Sequence, residues 1–233
     1  MAHFDEALRR YYDQRANVYD DMYLRRDPMW RKDLESLADE MAKTLIGRSV
    51  LEVACGTGFW TEVAAKTATR IVAVDASERM LELARKRKKR NANVEYVHGD
   101  AYSLEEISGK FDAGLANFWF SHVPKSRIAE FLSGLHHRLE KSAIVFMADN
   151  RYLPGIGGQL ITKPEIEDTF KLREGKDSSK YEVLKNYYDR KALERLFFPH
   201  GSQLKIHEMQ YFWSIQYLTK QQKARLRLAQ FLP

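Results

Sequence analysis

A short glycine turn between two acidic residues carries the clearest chemistry in this sequence. Gly56-Thr57-Gly58 follows the apolar run Ser49 to Ala54, whose one acid is Glu52, and precedes a helical pattern from Trp60 to Thr67. Glycines at a strand-to-helix turn let backbone approach a ligand closely. Asp75 closes the next apolar run, from Arg70, where a carboxylate can accept hydrogen bonds from ribose hydroxyls. Asp75 could instead cap the following helix, although Ser77 already fits that task. Glu52, an acid inside an apolar strand, needs a polar partner. Further on, His122 has the intrinsic titration range of a general base; the alternative is an anchor for the loop that follows it.

Hydride transfer from a nicotinamide nucleotide would use a similar turn. That fingerprint wants a third glycine three residues after the second, where this chain has Thr61. It also places a pyrophosphate at the helix N-terminus, and Glu52 would repel such an anion. Hydride transfer is therefore disfavoured. Cys55 is the only cysteine, which excludes an internal disulfide and a cysteine-based zinc cluster. No metal is expected.

These residues need elements to hold them. Residues 1–46 read as helices: Phe4, Leu8, Tyr11, Val18, Tyr19 and Met22 recur at helical spacing, as do Trp30, Leu34, Leu37 and Met41 after a break at Asp27-Pro28. From Gly47 the pattern alternates. Strands are predicted over Ser49–Ala54, Arg70–Asp75, Asn93–His98, Phe111–Asn117 and Ser142–Ala148, with helices over Trp60–Thr67, Glu78–Arg87 and Arg127–Leu139. This is an α/β pattern, a mostly parallel sheet with helices on both faces. Asp168–Arg173 and Lys180–Lys185 read as an inserted β-hairpin flanking the turn Glu174 to Ser179, after a loop with Pro154-Gly155 and Gly157-Gly158. A helix over Asp189–Phe197, adjacent strands Gln203–Met209 and Tyr211–Leu218, and a basic helical tail from Lys220 to Leu232 complete the reading. One domain over 1–233 is expected: a helical lid (1–46), a core (47–150), an inserted hairpin or substrate cap (151–190), and the rest of the core with the tail (191–233).

The ordered set Glu52-Val53-Ala54-Cys55-Gly56-Thr57-Gly58, Val74-Asp75-Ala76-Ser77-Glu78-Arg79-Met80-Leu81 and Gly99-Asp100-Ala101 resembles the class I S-adenosylmethionine-dependent methyltransferases of small-molecule type. The resemblance covers Leu45 to Asn150 and, more loosely, the late paired strands. It implies a Rossmann-like sheet with an antiparallel last strand, and S-adenosyl-L-methionine as cofactor, released as S-adenosyl-L-homocysteine. Glu52 would orient the turn, and Gly56, Thr57 and Gly58 would leave room for the methionine moiety. Asp75 would hold the ribose hydroxyls, Ala76 and Met80 would flank the adenine, and Asp100 and Ala101 would meet its edge. Asn117 and Phe118 would face the sulfonium. Tyr11, Arg15 and Tyr19 match the look of N-terminal helices that close over cofactor in such enzymes; their helical spacing also suits plain core packing.

For the acceptor, Asn117-Phe118-Trp119-Phe120 stands where base-amine methyltransferases of this class carry an Asn/Asp-Pro-Pro-aromatic motif, so chemistry on bases loses support. Trp60, Phe118, Trp119 and Phe120 could form an apolar or cation-attracting wall, although such aromatics are commonly core. His136 and His137 read as surface or core-edge residues. Asn150, Arg151, Lys185 and Tyr187 could converge above the cofactor, with Arg151 or Lys185 suited to a carboxylate or phosphate; hairpin packing is the alternative.

The formal charge of +6 comes from 38 basic against 32 acidic side chains, and the whole excess equals the hexapeptide Arg85 to Arg90. That run reads as a solvated helix end, at the opposite edge from the glycine turn. Nucleic acid is therefore not expected as a partner, although RNA methylation is one alternative; the other is cofactor binding without turnover. With 44% hydrophobic and 30% charged residues and no long apolar run, a cytoplasmic monomer or homodimer without membrane contact is expected.

Overall fold

The computed structural model describes residues 2–87, 92–174 and 179–220. The last three residues of the basic run, most of the turn after Glu174 and the tail beyond Lys220 lie outside the described residues.

Strands β1 (Ser49–Val53), β2 (Arg70–Asp75), β3 (Val94–His98), β4 (Phe111–Asn117) and β5 (Leu139–Asn150) are joined by β9 (Gly201–Glu208) and β10 (Phe212–Thr219) in one sheet, of order β3-β2-β1-β4-β5-β10-β9. The first five are mutually parallel, and β10 runs antiparallel between β5 and β9. This is the mostly parallel sheet the alternation predicts, with its late strands paired as expected. Winding proceeds from β1 to β3 on one side and resumes with β4 on the other. The switch point therefore lies between the carboxyl ends of β1 and β4, where open α/β sheets bind ligands.

Alternate strand residues supply two cores. Leu51, Val53, Val72 and Val74 join Phe131, Leu135 and Trp213 on one face, against helix α5 (Ile128–Arg138) and helix α6 (Arg190–Phe197). Val50, Ile71, Ala73 and Leu115 join Trp30, Leu37 and Met41 on the other, against helices α2 (Pro28–Thr44), α3 (Phe59–Ala64) and α4 (Glu78–Arg87). Helix α2 starts as its sequence dictates: Asp27 Oδ1 accepts from the backbone N–H of Met29 and Trp30 at 2.8 and 2.9 Å, with Pro28 in the first turn. Glu40 on the same helix accepts from Ser214 and Gln216, fastening it to β10.

Two regions depart from the sequence reading. The N-terminal helix α1 (Ala2–Arg15) ends at Arg15, and Ala16–Leu24 winds as 3-10 helix. The predicted hairpin is a three-stranded antiparallel sheet of β6 (Leu160–Lys163), β7 (Ile166–Glu174) and β8 (Lys180–Leu184). Its first strand is four residues long, with every residue only partly buried or exposed, so it lacks the two-residue apolar alternation by which strands are read.

Gly158 precedes this strand at φ +88°, and a Cβ there would stand 2.3 Å from the Leu172 carbonyl oxygen. Gly158→Ala is expected to cost about 2–4 kcal/mol, from the left-handed backbone and the forced shift of β7. A urea midpoint that stays at the wild-type value would contradict this close packing.

Candidate active site

The turn after β1 is built on alternating left-handed residues: Ala54, Gly56 and Gly58 have φ of +54°, +57° and +77°. Gly58 has no room for a side chain, since a Cβ would lie 2.7 Å from the Tyr96 hydroxyl and 3.1 Å from Ala84 Cβ. Asp75 clamps the turn. Its Oδ2 accepts from the Gly56 N–H at 2.7 Å and its Oδ1 from the Ser77 N–H at 2.8 Å. Ser77 itself caps α4, its hydroxyl accepting from the Met80 N–H at 3.0 Å. Burial raises the Asp75 pKa, and the two N–H bonds oppose that rise. A carboxylate has about four lone-pair sites, so two remain for hydroxyl donors.

A cleft of about 430 Å³ opens here, lined by Gly56, Asp75, Ala76 and Met80, by Asp100 and Ala101 after β3, and by Asn117, Phe118, Trp119 and His122 after β4. Asn117 Oδ1 is buried with no partner among the described residues. Phe118 adopts φ +58°, an uncommon conformation for a bulky residue that turns the chain at the strand end.

Glu52, Thr57 and Gly58 stand behind this surface. Glu52 is 2% exposed, with the Thr61 and Tyr96 hydroxyls as its polar neighbours. Its Oε2, Thr61 Oγ1 and the Tyr96 hydroxyl all lack a well-formed hydrogen bond among the described residues. Burial, with the Asp75 charge nearby, pushes the Glu52 carboxyl up to about 8.

The N-terminal segment closes one side, with Tyr19 in the cleft wall as spacing suggested and Tyr12 there in place of Tyr11 and Arg15. Tyr12 and Tyr19 line the cleft, with Leu8 and Arg9. Tyr11 packs against Tyr181 of β8, ring centroids 5.7 Å apart, and the Arg15 guanidinium lies over the Tyr11 ring at 5.6 Å. The segment is pinned by carboxylates: Asp13 accepts from the Ser77 hydroxyl, and Asp20 accepts from the Thr57 hydroxyl at 2.6 Å. Asp20 also pairs with Arg87, whose Nε donates to the Thr57 carbonyl at 3.0 Å and whose Nη1 reaches Glu62 at 2.8 Å. For Arg87, this corrects the reading of the basic run as lying at the opposite edge from the turn. Helix α4 crosses against Gly58 at Ala84, and one turn later Arg87 still reaches the turn. Arg85 pairs with Glu78.

At the far end, His122 Nδ1 lies 2.7 Å from the Leu184 carbonyl and Nε2 lies 2.9 Å from the Tyr12 hydroxyl. A carbonyl only accepts, so the proton sits on Nδ1 and Nε2 accepts from Tyr12. Burial and the neighbouring Lys185 ammonium hold the imidazole down to about 3, against the opposing pull of Asp149. Lys185 is buried with Asp149 at 3.0 Å and also donates to the Ser121 hydroxyl at 2.6 Å. Asp149 further accepts from the N–H groups of Ser121 and Asn150. Beside them Asn186, 1% exposed, donates to Val123 and Asp168 and accepts from Thr169, joining the inserted sheet to the His122 loop.

The remaining acceptor candidates scatter. Asn150 is tied to Asp149. Arg151 donates to the Met209 carbonyl and stands 3.8 Å from Glu208. Tyr187 packs edge-on to Tyr152 with centroids 5.3 Å apart. Phe120 is core, against Phe197 and Tyr188. Trp60 donates to the Tyr23 hydroxyl at 3.1 Å, and His136 hydrogen-bonds Tyr217 at 2.8 Å. Tyr12, Asp13 and Asp20 escaped the sequence reading, though they flank the very tyrosines it singled out.

Sheet order, switch-point cleft and clamped glycine turn together define the class I methyltransferase fold. Residues 50–142 match the family described as a methyltransferase domain. A demethylmenaquinone methyltransferase of Staphylococcus haemolyticus is 31% identical over 121 residues, covering 51% of this chain and 48% of that protein. The chain thus spans about half the length of such curated relatives. A carboxy-S-adenosyl-L-methionine synthase of Campylobacter hominis is 26% identical over 190 residues, covering 79% and 77%. Among solved structures, a DhpI complex with S-adenosylhomocysteine superposes with a TM-score of 0.77 at 22% identity, covering 95% of this chain and 100% of that one. At that identity the likeness is one of fold.

A raised folded-state pKa for Glu52 means that folded protein keeps a proton the unfolded chain loses. Between the unfolded value near 4.5 and the folded value of about 8, stability therefore falls as pH rises, and levels off above. Glu52→Gln is expected to flatten that slope and to gain roughly 2–4 kcal/mol over wild type at pH 8 relative to pH 4.5. Parallel pH profiles of unfolding for the two proteins would contradict a buried, protonated Glu52.

Proposed function

We propose that the protein transfers the methyl group of S-adenosyl-L-methionine to a small-molecule acceptor and releases S-adenosyl-L-homocysteine. The observation that carries this reading is the Asp75 clamp at the head of the cleft, with Gly56 N–H at 2.7 Å and two lone-pair sites left over. Ribose hydroxyls supply donors of the kind those sites accept. Asn117 Oδ1, buried and unpartnered among the described residues, would accept from the methionine ammonium end. Met80 and Ala76 would flank the adenine, and Asp100 and Ala101 would meet its edge. The cleft volume of about 430 Å³ lies within the usual range for small-molecule sites.

When bound, the cofactor supplies an electrophilic methyl group on a sulfonium. The chain's own part is then to hold the acceptor in line and keep water out. Tyr12, Tyr19 and Trp119 line the cleft beside Phe118, and they would orient the acceptor. An imidazole held down to about 3 is a poor proton acceptor at neutral pH. His122 therefore acts in this reading as a neutral hydrogen-bond acceptor that fixes Tyr12, rather than as the general base its intrinsic range suggested. In this reading the nucleophile reacts without deprotonation by His122, as a preformed oxyanion or a neutral amine can.

Among the described residues of the basic run, Arg85 and Arg87 are already paired with carboxylates, which weakens the motive for an RNA acceptor. Incubation of the protein with methyl-labelled S-adenosylmethionine and fractionated cell extract is expected to label the small-molecule fraction. Asp75→Asn should lower that labelling at least tenfold at sub-saturating cofactor. Label appearing only in RNA, or in no fraction, would overturn the reading.

A further inference from the structure

The inserted sheet carries a row of cations on the face that meets the N-terminal helix. In β7 and β8, Lys171 lies opposite Val183 and Arg173 opposite Tyr181. Strand alternation puts these four on one face, with Lys185 next on the same side. That face meets the N-terminal helix, through the Tyr181 and Tyr11 rings. Of the three cations, Lys185 is neutralised by Asp149. Lys171 is 1% exposed and donates only to carbonyl oxygens, of Gly158 at 2.7 Å and Ile156 at 3.3 Å. Its ammonium lies 5.1 and 5.7 Å from the Tyr152 and Tyr187 rings.

Arg173 makes no hydrogen bond or ion pair with any described residue. Its guanidinium lies against Gly157, where a Cβ would come within 3.0 Å of Nη1. Its charge is felt by Tyr12 and His122, which line the cleft, and by Tyr187, Lys185 and Lys171. The carboxylate that acts on the same tyrosines and on His122 is Asp149, and its ion pair is with Lys185. Lys171 and Arg173 therefore share this face without a counter-charge of their own among the described residues. Such a group is costly to desolvate unless an anion joins it, and a guanidinium fork matches a carboxylate or phosphoryl group bidentately. Holding the loop 154–158 in place accounts for Lys171, but not for the open fork of Arg173.

We propose that Arg173 and Lys171, with the Tyr187 ring beside Lys171, form a subsite for an oxyanion borne by the methyl acceptor, which is therefore a small carboxylate or phosphoryl compound. Naming the ligand as the acceptor rests on the methyl-transfer reading; the anion site itself does not.

The test is titration of the protein, with and without S-adenosylhomocysteine, by sodium phosphate and separately by sodium acetate at constant ionic strength. Arginine Nε–H resonances report binding, and calorimetry measures S-adenosylhomocysteine affinity on the same samples. A saturable shift of one resonance is expected, absent from Arg173→Gln, with phosphate or acetate affinity reduced at least tenfold in that variant. Arg173→Lys should retain part of the affinity, and Arg190→Gln, on the surface beside Glu208, should retain all of it. The anion that binds more tightly assigns the phosphoryl or the carboxylate class. No saturable response to either anion, or an undiminished response in Arg173→Gln with its cofactor affinity intact, overturns the proposal. Anion binding without any S-adenosylhomocysteine binding would overturn the methyl-transfer reading instead and leave the anion site standing.

Discussion

The Asp75 carboxylate joins three pieces of chain that would otherwise be independent. It ends β2, receives the N–H of Gly56 from the turn after β1, and receives the N–H of Ser77 at the start of α4. Charge-assisted bonds to backbone N–H groups are among the stronger hydrogen bonds in proteins. Here they hold a turn made of left-handed residues in one shape. Around that clamp the rest follows. Gly58 must lack a side chain because Ala84 and Tyr96 close in behind it, and Glu52, forced beneath the turn, has a folded environment that favours its neutral form.

The same clamp organises the lid. Ser77, capped into α4 through its own hydroxyl, also donates to Asp13, while Thr57 of the turn donates to Asp20. Arg87 ties Asp20 and Glu62 to the Thr57 carbonyl. The N-terminal segment is thus seated on the turn by polar contacts, and its tyrosines are set by that seating. On the opposite wall the inserted sheet does the corresponding work through Asn186 and the Lys185–Asp149 pair, and the Leu184 carbonyl fixes the His122 tautomer. Two insertions on a parallel sheet thereby meet across one cleft, at Tyr12 and His122.

Sequence made the core legible because its signals are local. A buried strand, a glycine turn and an acid at the next strand end are read within one short stretch, and the mostly parallel sheet follows from the alternation of strands and helices. The walls were less legible because they depend on long-range partners. Tyr11 and Tyr12 are adjacent, and only the packing of Tyr11 on Tyr181 decides which of them faces the cleft. Lys185 looked like a free cation until Asp149 was placed beside it, and Arg151 until Glu208 and the Met209 carbonyl were. Arg173 carried no local signal at all. Arg87 reads as a solvated charge in any basic run, and its contact with the turn depends on where α4 packs against Gly58.

Calorimetric titration of the wild-type protein and Asp75→Ala with S-adenosylhomocysteine tests the central claim most directly. The account predicts one site per chain in the wild type and a loss of about 1.5–3 kcal/mol in the variant, with its unfolding still cooperative. No heat of binding in the folded wild type, or equal affinity in Asp75→Ala, would show that the clamped turn is not where the cofactor is held.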